Sequence, residues 1–256
     1  MGCSKTEQES SAVNRFVVSL AGHVIQIEAP YPQAEEFCRD FMSDGAPEFS
    51  VRVEQRDIND QRLQETNART VALRPDSGFA LPALHRLLTE RLIDEDILLM
   101  HGAVIALNGE AYLFTAPSRT GKTTQIWQWL DHCPDAVVVN GDKPFIRFPD
   151  DGAPPLACGS PWAGKESMYA NVMVPLKAIV LMERAEDSRM ERITLADAFP
   201  TLLQQVYRPE DPEKMRKTLR LLRRLDPAVS LWRFRFNNLK SDCFPTAYRA
   251  LTGREP

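Results

Sequence analysis

Residues 114 to 124 read FTAPSRTGKTT, a set of residue types suited to holding phosphate. Gly121-Lys122-Thr123 matches the end of the G-x-x-x-x-G-K-[ST] pattern, in which backbone N–H groups and a helix N-terminus face phosphate oxygens. Lys122 would reach the outer phosphates, the Thr123 hydroxyl would take a place on Mg²⁺, and Gly121 keeps bulk away from the closest approach. The candidate nucleotide-binding set is therefore Ala116, Pro117, Ser118, Arg119, Thr120, Gly121, Lys122, Thr123 and Thr124. Ala116 stands where the pattern has glycine. Alanine fits if its φ is negative, whereas a positive φ would cost on the order of 1 kcal/mol. Pro117 biases Ala116 toward extended geometry, so the spacing predicts an ordered loop that binds nucleotide.

Three further groups are candidates for chemistry. Asp142 follows the apolar run AVVVN and suits a metal ligand beside Thr123, or a general base; the other reading is an N-G-D turn, which Asn and Gly favour by themselves. His101, ahead of the loop, is either near the phosphates and substrate or a hydrogen-bonded core residue. GSPWAGKES, residues 159 to 167, places Trp162, Lys165 and Glu166 in a glycine-containing loop, as substrate contacts or as a rigid turn.

The elements that must position these groups show in the periodicity. FVVSLAGHVIQIE reads as a hairpin about Ala21-Gly22, PYPQAEEFCRDFM as a helix with Ala34, Phe37 and Phe41 on one face, and FSVRVEQ as a strand. Residues 56 to 78 read as a connector with a weak helix, or a strand at TVALR. Leu84, Leu87, Leu88 and Leu92 then repeat at helical spacing. ILLMHGAVIAL and EAYLFTA form a hairpin about Asn108-Gly109. TTQIWQWLDH continues the loop as a helix with Ile126, Trp129 and Leu130 inward, and AVVVNGDKPFIRF is a buried strand with a polar break. VPLKAIVLMER and VSLWRFRFNNL are strands, residues 195 to 225 are helical with a basic outer face, and SDCFPTAYRALTG closes as a helix. Strand, loop, helix and strand ending in Asp is a nucleotide-binding α/β order set among hairpins, which predicts a mixed sheet. The expected division is a leader over 1–15, a small β-rich lobe and connector over 16–78, and the phosphate-loop domain over 79–256.

Composition narrows the partners. The 31 Lys and Arg against 35 Asp and Glu leave a net charge of −4, and nothing suggests nucleic-acid binding. Five cysteines without a C-x-x-C pair read as reduced thiols and predict the cytoplasm. No apolar run is long enough to cross a membrane. The start MGCSKT matches a loose acylation pattern, of a kind that short sequences often meet by chance.

On these residues the chain resembles the catalytic domain of HPr kinase/phosphorylase and its relatives of the phosphoenolpyruvate carboxykinase-like fold. The correspondence covers about residues 95 to 205, from HGAVIALNGEAYLFTAPSRTGKTTQIWQWL to VVVNGDKPFI. HGAVIAL, FTAPSRTGKTT, NGDKPFIR, SPWAGK and VPLKAIVLMER further resemble an uncharacterised bacterial branch of such proteins. The resemblance implies ATP, Mg²⁺ and phosphoryl transfer to a hydroxyl, typically a serine, of a protein, peptide or small molecule. It matches Lys122 and Thr123 to the phosphate and metal positions, His101 to a histidine ahead of the loop, and Asp142 to the second of two paired aspartates. Gly141 stands in place of the first, and Thr124 in place of a glutamate. Relatives of this kind form rings, and the basic stretch 214–224 offers a contact for a homo-oligomer. With one carboxylate where the family has two, the alternative to a kinase is an ATP-binding regulatory module without transfer. A GTPase lacks its N-K-x-D-type motif here. Decarboxylation of the phosphoenolpyruvate carboxykinase type lacks a second Lys and His metal set.

Overall fold

The computed structural model describes residues 13–65, 74–237 and 242–255. The acylation pattern at the start and most of TVALR lie outside them. By internal contacts the chain divides into two units, Met1–Ser19 with His23–Leu88, and Leu20–Gly22 with Thr89–Pro256.

In the first unit, β1 (Asn14–Leu20) and β2 (His23–Ala29) are joined by Ala21 and Gly22 at φ 51° and 83°. Two central residues at positive φ give the hairpin turn whose twist matches the strands. Helix α1 (Gln33–Phe37) stops after five residues and passes into a 3-10 turn at Arg39–Phe41, so Ala34 and Phe41 are buried while Phe37 is only partly so. β3 (Phe49–Arg52) lies parallel to β2, Ile27 opposite Val51. The stretch read as a connector with a weak helix begins with a ten-residue helix, α2 (Gln55–Gln64), started by a capping box between Glu54 and Asp57. Helix α3 (Asp76–Ile93) belongs to this unit up to Leu88 and to the second from Thr89; its Leu84, Leu88 and Leu92 form one buried stripe.

The second unit is mixed α/β on a mixed nine-stranded sheet. Its strands and helices run β4 (Ile97–Leu99), β5 (Ala103–Leu107), β6 (Glu110–Thr115), α4 (Lys122–His132), β7 (Val137–Asn140), β8 (Phe145–Arg147), β9 (Leu156–Cys158), β10 (Met173–Arg184) and β11 (Arg189–Arg192), then α5 (Leu195–Gln205), α6 (Pro212–Arg223), the short α7 (Leu225–Ala228), β12 (Ser230–Phe236) and α8 (Cys243–Thr252). The main path is β4-β8-β9-β10-β6-β5-β7, with β12 on β10 and β11 on β12. β10 runs parallel to β6 and β12 but antiparallel to β9, pairing first with β9 and then with the other two.

Alternation along the strands feeds two cores. Val104, Ala106, Leu113 and Leu181 pack with Ala198 and Leu202 of α5 and Leu221 and Leu222 of α6. Ile105, Tyr112, Phe114 and Val180 pack with Ile126 and Trp129 of α4 and Phe244 and Ala247 of α8. Each such buried side chain contributes about 1.5–3 kcal/mol. The sheet that leads into the loop at 116–121 is thus covered on both faces.

Two expectations change. ILLMHGAVIAL is not one strand: it breaks at Met100–Gly102, β4 pairing with β8 and β5 with β6 and β7. A Cβ on Gly102 would come to 3.0 Å from the Phe114 carbonyl, so the break falls at a close approach of two backbones. The basic stretch 214–224 is also less free than expected. Lys214 pairs with Asp94, and Lys217 and Arg224 with Asp96, tying α6 to the turn after α3.

Candidate functional site

The phosphate loop runs from the end of β6 into α4, and its left-handed residues explain the alanine. Ala116 is buried and is not among the non-glycine residues with positive φ; Arg119 (φ 66°) and Gly121 (φ 131°) carry the bends instead. The turn out of the strand therefore needs no glycine, and the strain lies at Arg119, where an L-residue in this region costs about 1–3 kcal/mol. Thr120 Oγ1 donates to the Pro117 carbonyl (2.8 Å), closing the loop on itself. Pro117, Ser118 and Arg119 are exposed at the tip, and Thr123 and Thr124 are half-buried in the first turn of α4.

Lys122 is the first residue of that helix and is 8% exposed. Its Nζ donates to the carbonyls of Ala116 (3.0 Å) and Pro117 (3.4 Å), so the ammonium lies within the curl of the loop. Burial pushes its pKa down, partly offset by the charge of Asp142. A buried cation satisfied only by neutral carbonyls is an electrostatically open position, and phosphate is the group that fills it best.

Asp142 follows β7 and is held by the turn that Asn140 makes. The fully buried Asn140 Oδ1 accepts from the backbone N–H of Asp142 (2.9 Å) and Lys143 (2.7 Å), while its Nδ2 donates to the Ser160 carbonyl and hydroxyl (2.9 and 3.0 Å). Ser160 Oγ in turn donates to the Lys143 carbonyl (2.8 Å). The N-G-D turn is thus present, and it fixes the backbone from which the Asp142 carboxylate projects.

His101 meets this carboxylate, its Nε2 3.4 Å from Asp142 Oδ1. Nδ1 lies 2.7 Å from Gln205 Oε1, the His101 N–H donates to the Gln205 carbonyl (2.7 Å), and Thr115 Oγ1 donates to the His101 carbonyl (2.7 Å). The backbone N–H of Gly102 donates to the Asp142 carbonyl (2.9 Å), crossing the two segments. Burial alone would raise the pKa of Asp142, but the hydrogen bond and charge of His101, then Lys143 and Lys122, hold it below the usual carboxylate value.

The loop 159–172 doubles back against the same point. The Gly141 N–H donates to the Met168 carbonyl (2.9 Å), and the Ala170 N–H to that of Val139 (3.2 Å). Gly164, at φ 81°, lies so close that a Cβ there would be 3.0 Å from the Asp142 Cβ. Trp162 is half-buried, and Lys165 and Glu166 follow Gly164 on exposed backbone. A Cβ on Gly141 would meet the Ala163 carbonyl at 3.0 Å and that of Met168 at 3.4 Å, so the volume a first aspartate needs is filled by main chain. Gly141→Asp is accordingly expected to destabilise by about 1–3 kcal/mol through overpacking. For a chain of this size that lowers the melting temperature by roughly 3–10 °C, measurable by calorimetry, without a gain in any activity.

Among the described residues no group of three or more His, Cys, Asp or Glu stands ready as a metal cage. Thr123 in the first turn of α4 and Asp142 after β7 each carry a hard oxygen donor of the kind Mg²⁺ takes. Residues that sequence reasoning missed are the ones that orient the others. Asn140 had a readable signal, its place in an N-G-D turn, whereas Gln205 lies 104 residues from His101 with none. No helix of the described residues is long and apolar enough to cross a membrane. A scan against family models gives no match for this chain, and a search of curated proteins gives none either.

Proposed function

We propose that this chain is a Mg-ATP-dependent phosphotransferase of the HPr kinase-like kind, built on a phosphoenolpyruvate carboxykinase-like phosphate-loop domain and acting in the cytoplasm on a hydroxyl of a protein, peptide or small molecule. The observation that carries this reading is the buried Lys122 ammonium held in the curl of the loop by the carbonyls of Ala116 and Pro117, with the Asp142 carboxylate set beside His101 at the end of β7. Phosphoryl transfer needs mostly positioning and charge neutralisation, so a short set of groups can suffice. The backbone N–H groups of the loop and the start of α4 bind phosphate, and Lys122 neutralises it. Asp142, ionised at neutral pH, accepts the proton of the acceptor hydroxyl as its oxygen bonds to the γ-phosphorus and the bond to the leaving diphosphate breaks. A divalent cation held by Thr123 and Asp142 would supply further screening of phosphate charge. Trp162, Lys165 and Glu166, on the loop that packs against Asp142, are the residues for acceptor contact. The test is incubation of the full chain with γ-labelled ATP and serine-bearing peptides or small hydroxyl compounds. Label transfer lost in Lys122→Ala supports the reading, and equal transfer by both proteins contradicts it.

The regulatory reading, ATP held without transfer, is favoured by one observation: main chain occupies the place of a second carboxylate at Gly141. Asp142→Asn separates the two, since a pure binding module tolerates it.

The pKa shifts give a pH profile. Asp142 has a lowered folded pKa, so its contribution to stability is fully present above the ordinary carboxylate value and is lost only as pH falls through that lowered value. Lys122 also has a lowered pKa, so it loses its charge at less alkaline pH than an ordinary lysine. ATP affinity is therefore expected to decline on the alkaline side before the usual lysine range. Titration calorimetry across pH checks this.

A further inference from the structure

Arg184 ends β10, the strand parallel to the one that feeds the phosphate loop. Its backbone is fixed by the sheet: Arg184 pairs with Phe236 of β12, and the next N–H, that of Ala185, donates to the Phe236 carbonyl (2.9 Å). The exposed guanidinium reaches across to the loop, Nη2 donating to the Arg119 carbonyl (2.8 Å) and Nε to the Thr120 carbonyl (3.1 Å). The first of those carbonyls belongs to the strained residue itself, since Arg119 is the loop residue held at φ 66°.

We propose that Arg184 is a positioning residue for nucleotide: by binding two successive carbonyls at the tip it holds the loop in the curl that presents its N–H groups and Lys122 to phosphate. The physical argument is that a peptide unit directs its carbonyl and its N–H to opposite sides. Fixing the carbonyls of Arg119 and Thr120 on Arg184 therefore turns the N–H groups of Thr120 and Gly121 the other way. The fork geometry of a guanidinium suits two acceptors at once, whereas an ammonium is a single point charge. A loop with a strained left-handed residue relaxes when that restraint is removed, and a relaxed cradle must be reordered each time phosphate binds. Nothing in the loop's own sequence announces this support, because it comes from a strand 64 and 65 residues away.

The inference rests on the reading that the loop binds ATP, and its test separates the two. Titration calorimetry with Mg-ATP is run on the wild-type chain and on Arg184→Ala, Arg184→Lys and Lys122→Ala, with thermal unfolding of each ligand-free protein. Arg184→Ala is expected to weaken ATP roughly 5- to 20-fold, from the loss of two charge-assisted hydrogen bonds that preorganise the loop. Its ligand-free melting temperature is expected to stay within about 2 °C, because the side chain is exposed. Arg184→Lys is expected to resemble the alanine variant, since charge alone does not hold two carbonyls. Lysine restoring wild-type affinity would overturn the proposal in favour of a charge effect on phosphate, and so would wild-type affinity in Arg184→Ala while Lys122→Ala loses binding. An equal loss of ligand-free stability and affinity in Arg184→Ala would reduce the residue to a structural role. Failure of the wild-type chain to bind ATP would instead remove the reading on which the inference stands.

Discussion

Asp142→Asn is expected to cut phosphoryl transfer by about 10²- to 10⁴-fold, the usual contribution of a positioned general base. The asparagine keeps the shape of the side chain and cannot accept the acceptor's proton. Its effect on ATP affinity is expected to stay within about tenfold, because the phosphate cradle is made by the loop, and losing a cation ligand is opposed by losing a negative charge beside phosphate. The fold should tolerate the change, since Asp142 is only half-buried and its backbone hydrogen bonds to Asn140 and Gly102 do not involve the carboxylate. Single-turnover transfer and equilibrium binding on the same preparation separate the two effects. Transfer unchanged in the asparagine variant would exclude Asp142 as the base, whereas ATP binding without transfer by the wild-type chain would put the regulatory reading first.

Lys122→Ala is expected to lower ATP affinity by about 100-fold or more, and transfer with it, since a desolvated cation against phosphate is among the strongest charge-assisted contacts a loop offers. The loss should not come with unfolding. Among the described residues Lys122 donates to the carbonyls of Ala116 and Pro117, and its charge is disfavoured by burial, so the alanine chain gives up little stability. A melting temperature within a few degrees of wild type, together with lost ATP protection, is the pattern that identifies a binding group rather than a structural one. The opposite pattern, a large loss of stability and unaltered protection by ATP, would assign Lys122 to the structure of the loop alone.

What could be read in advance follows a physical division between local and distant causes. Turns were legible: Asn108-Gly109 takes positive φ at both positions because those residue types tolerate it, and the hairpin of β5 and β6 follows. The helix after the loop was legible because Ile126 and Trp129 recur at helical spacing and both are buried. Element ends were less so. The run ILLMHGAVIAL shows no polar interruption strong enough to mark its break at Met100–Gly102, which arises from pairing with β8 on one side and β6 on the other. The site divides the same way. The types at 121–123 and the carboxylate after β7 announce themselves by local pattern. The hydrogen bonds that orient them come from Gln205 at the end of α5, Ser160 in the loop after β9 and Arg184 at the end of β10, all placed by the tertiary fold rather than by neighbours in sequence. Ala116 shows the converse. A position judged irregular against a pattern is ordinary in the fold, and the strained residue is Arg119, which no pattern marks.

The measurement that bears most directly on the central claim, a nucleotide site formed by the loop at 116–124, is calorimetric titration of Mg-ATP into the full chain and its Lys122→Ala variant, each checked for folding by circular dichroism. The account predicts saturable binding at one site in the wild type and a loss of about 100-fold or more in the variant. Absence of binding to the folded wild-type chain, or equal affinity in both proteins, would contradict it.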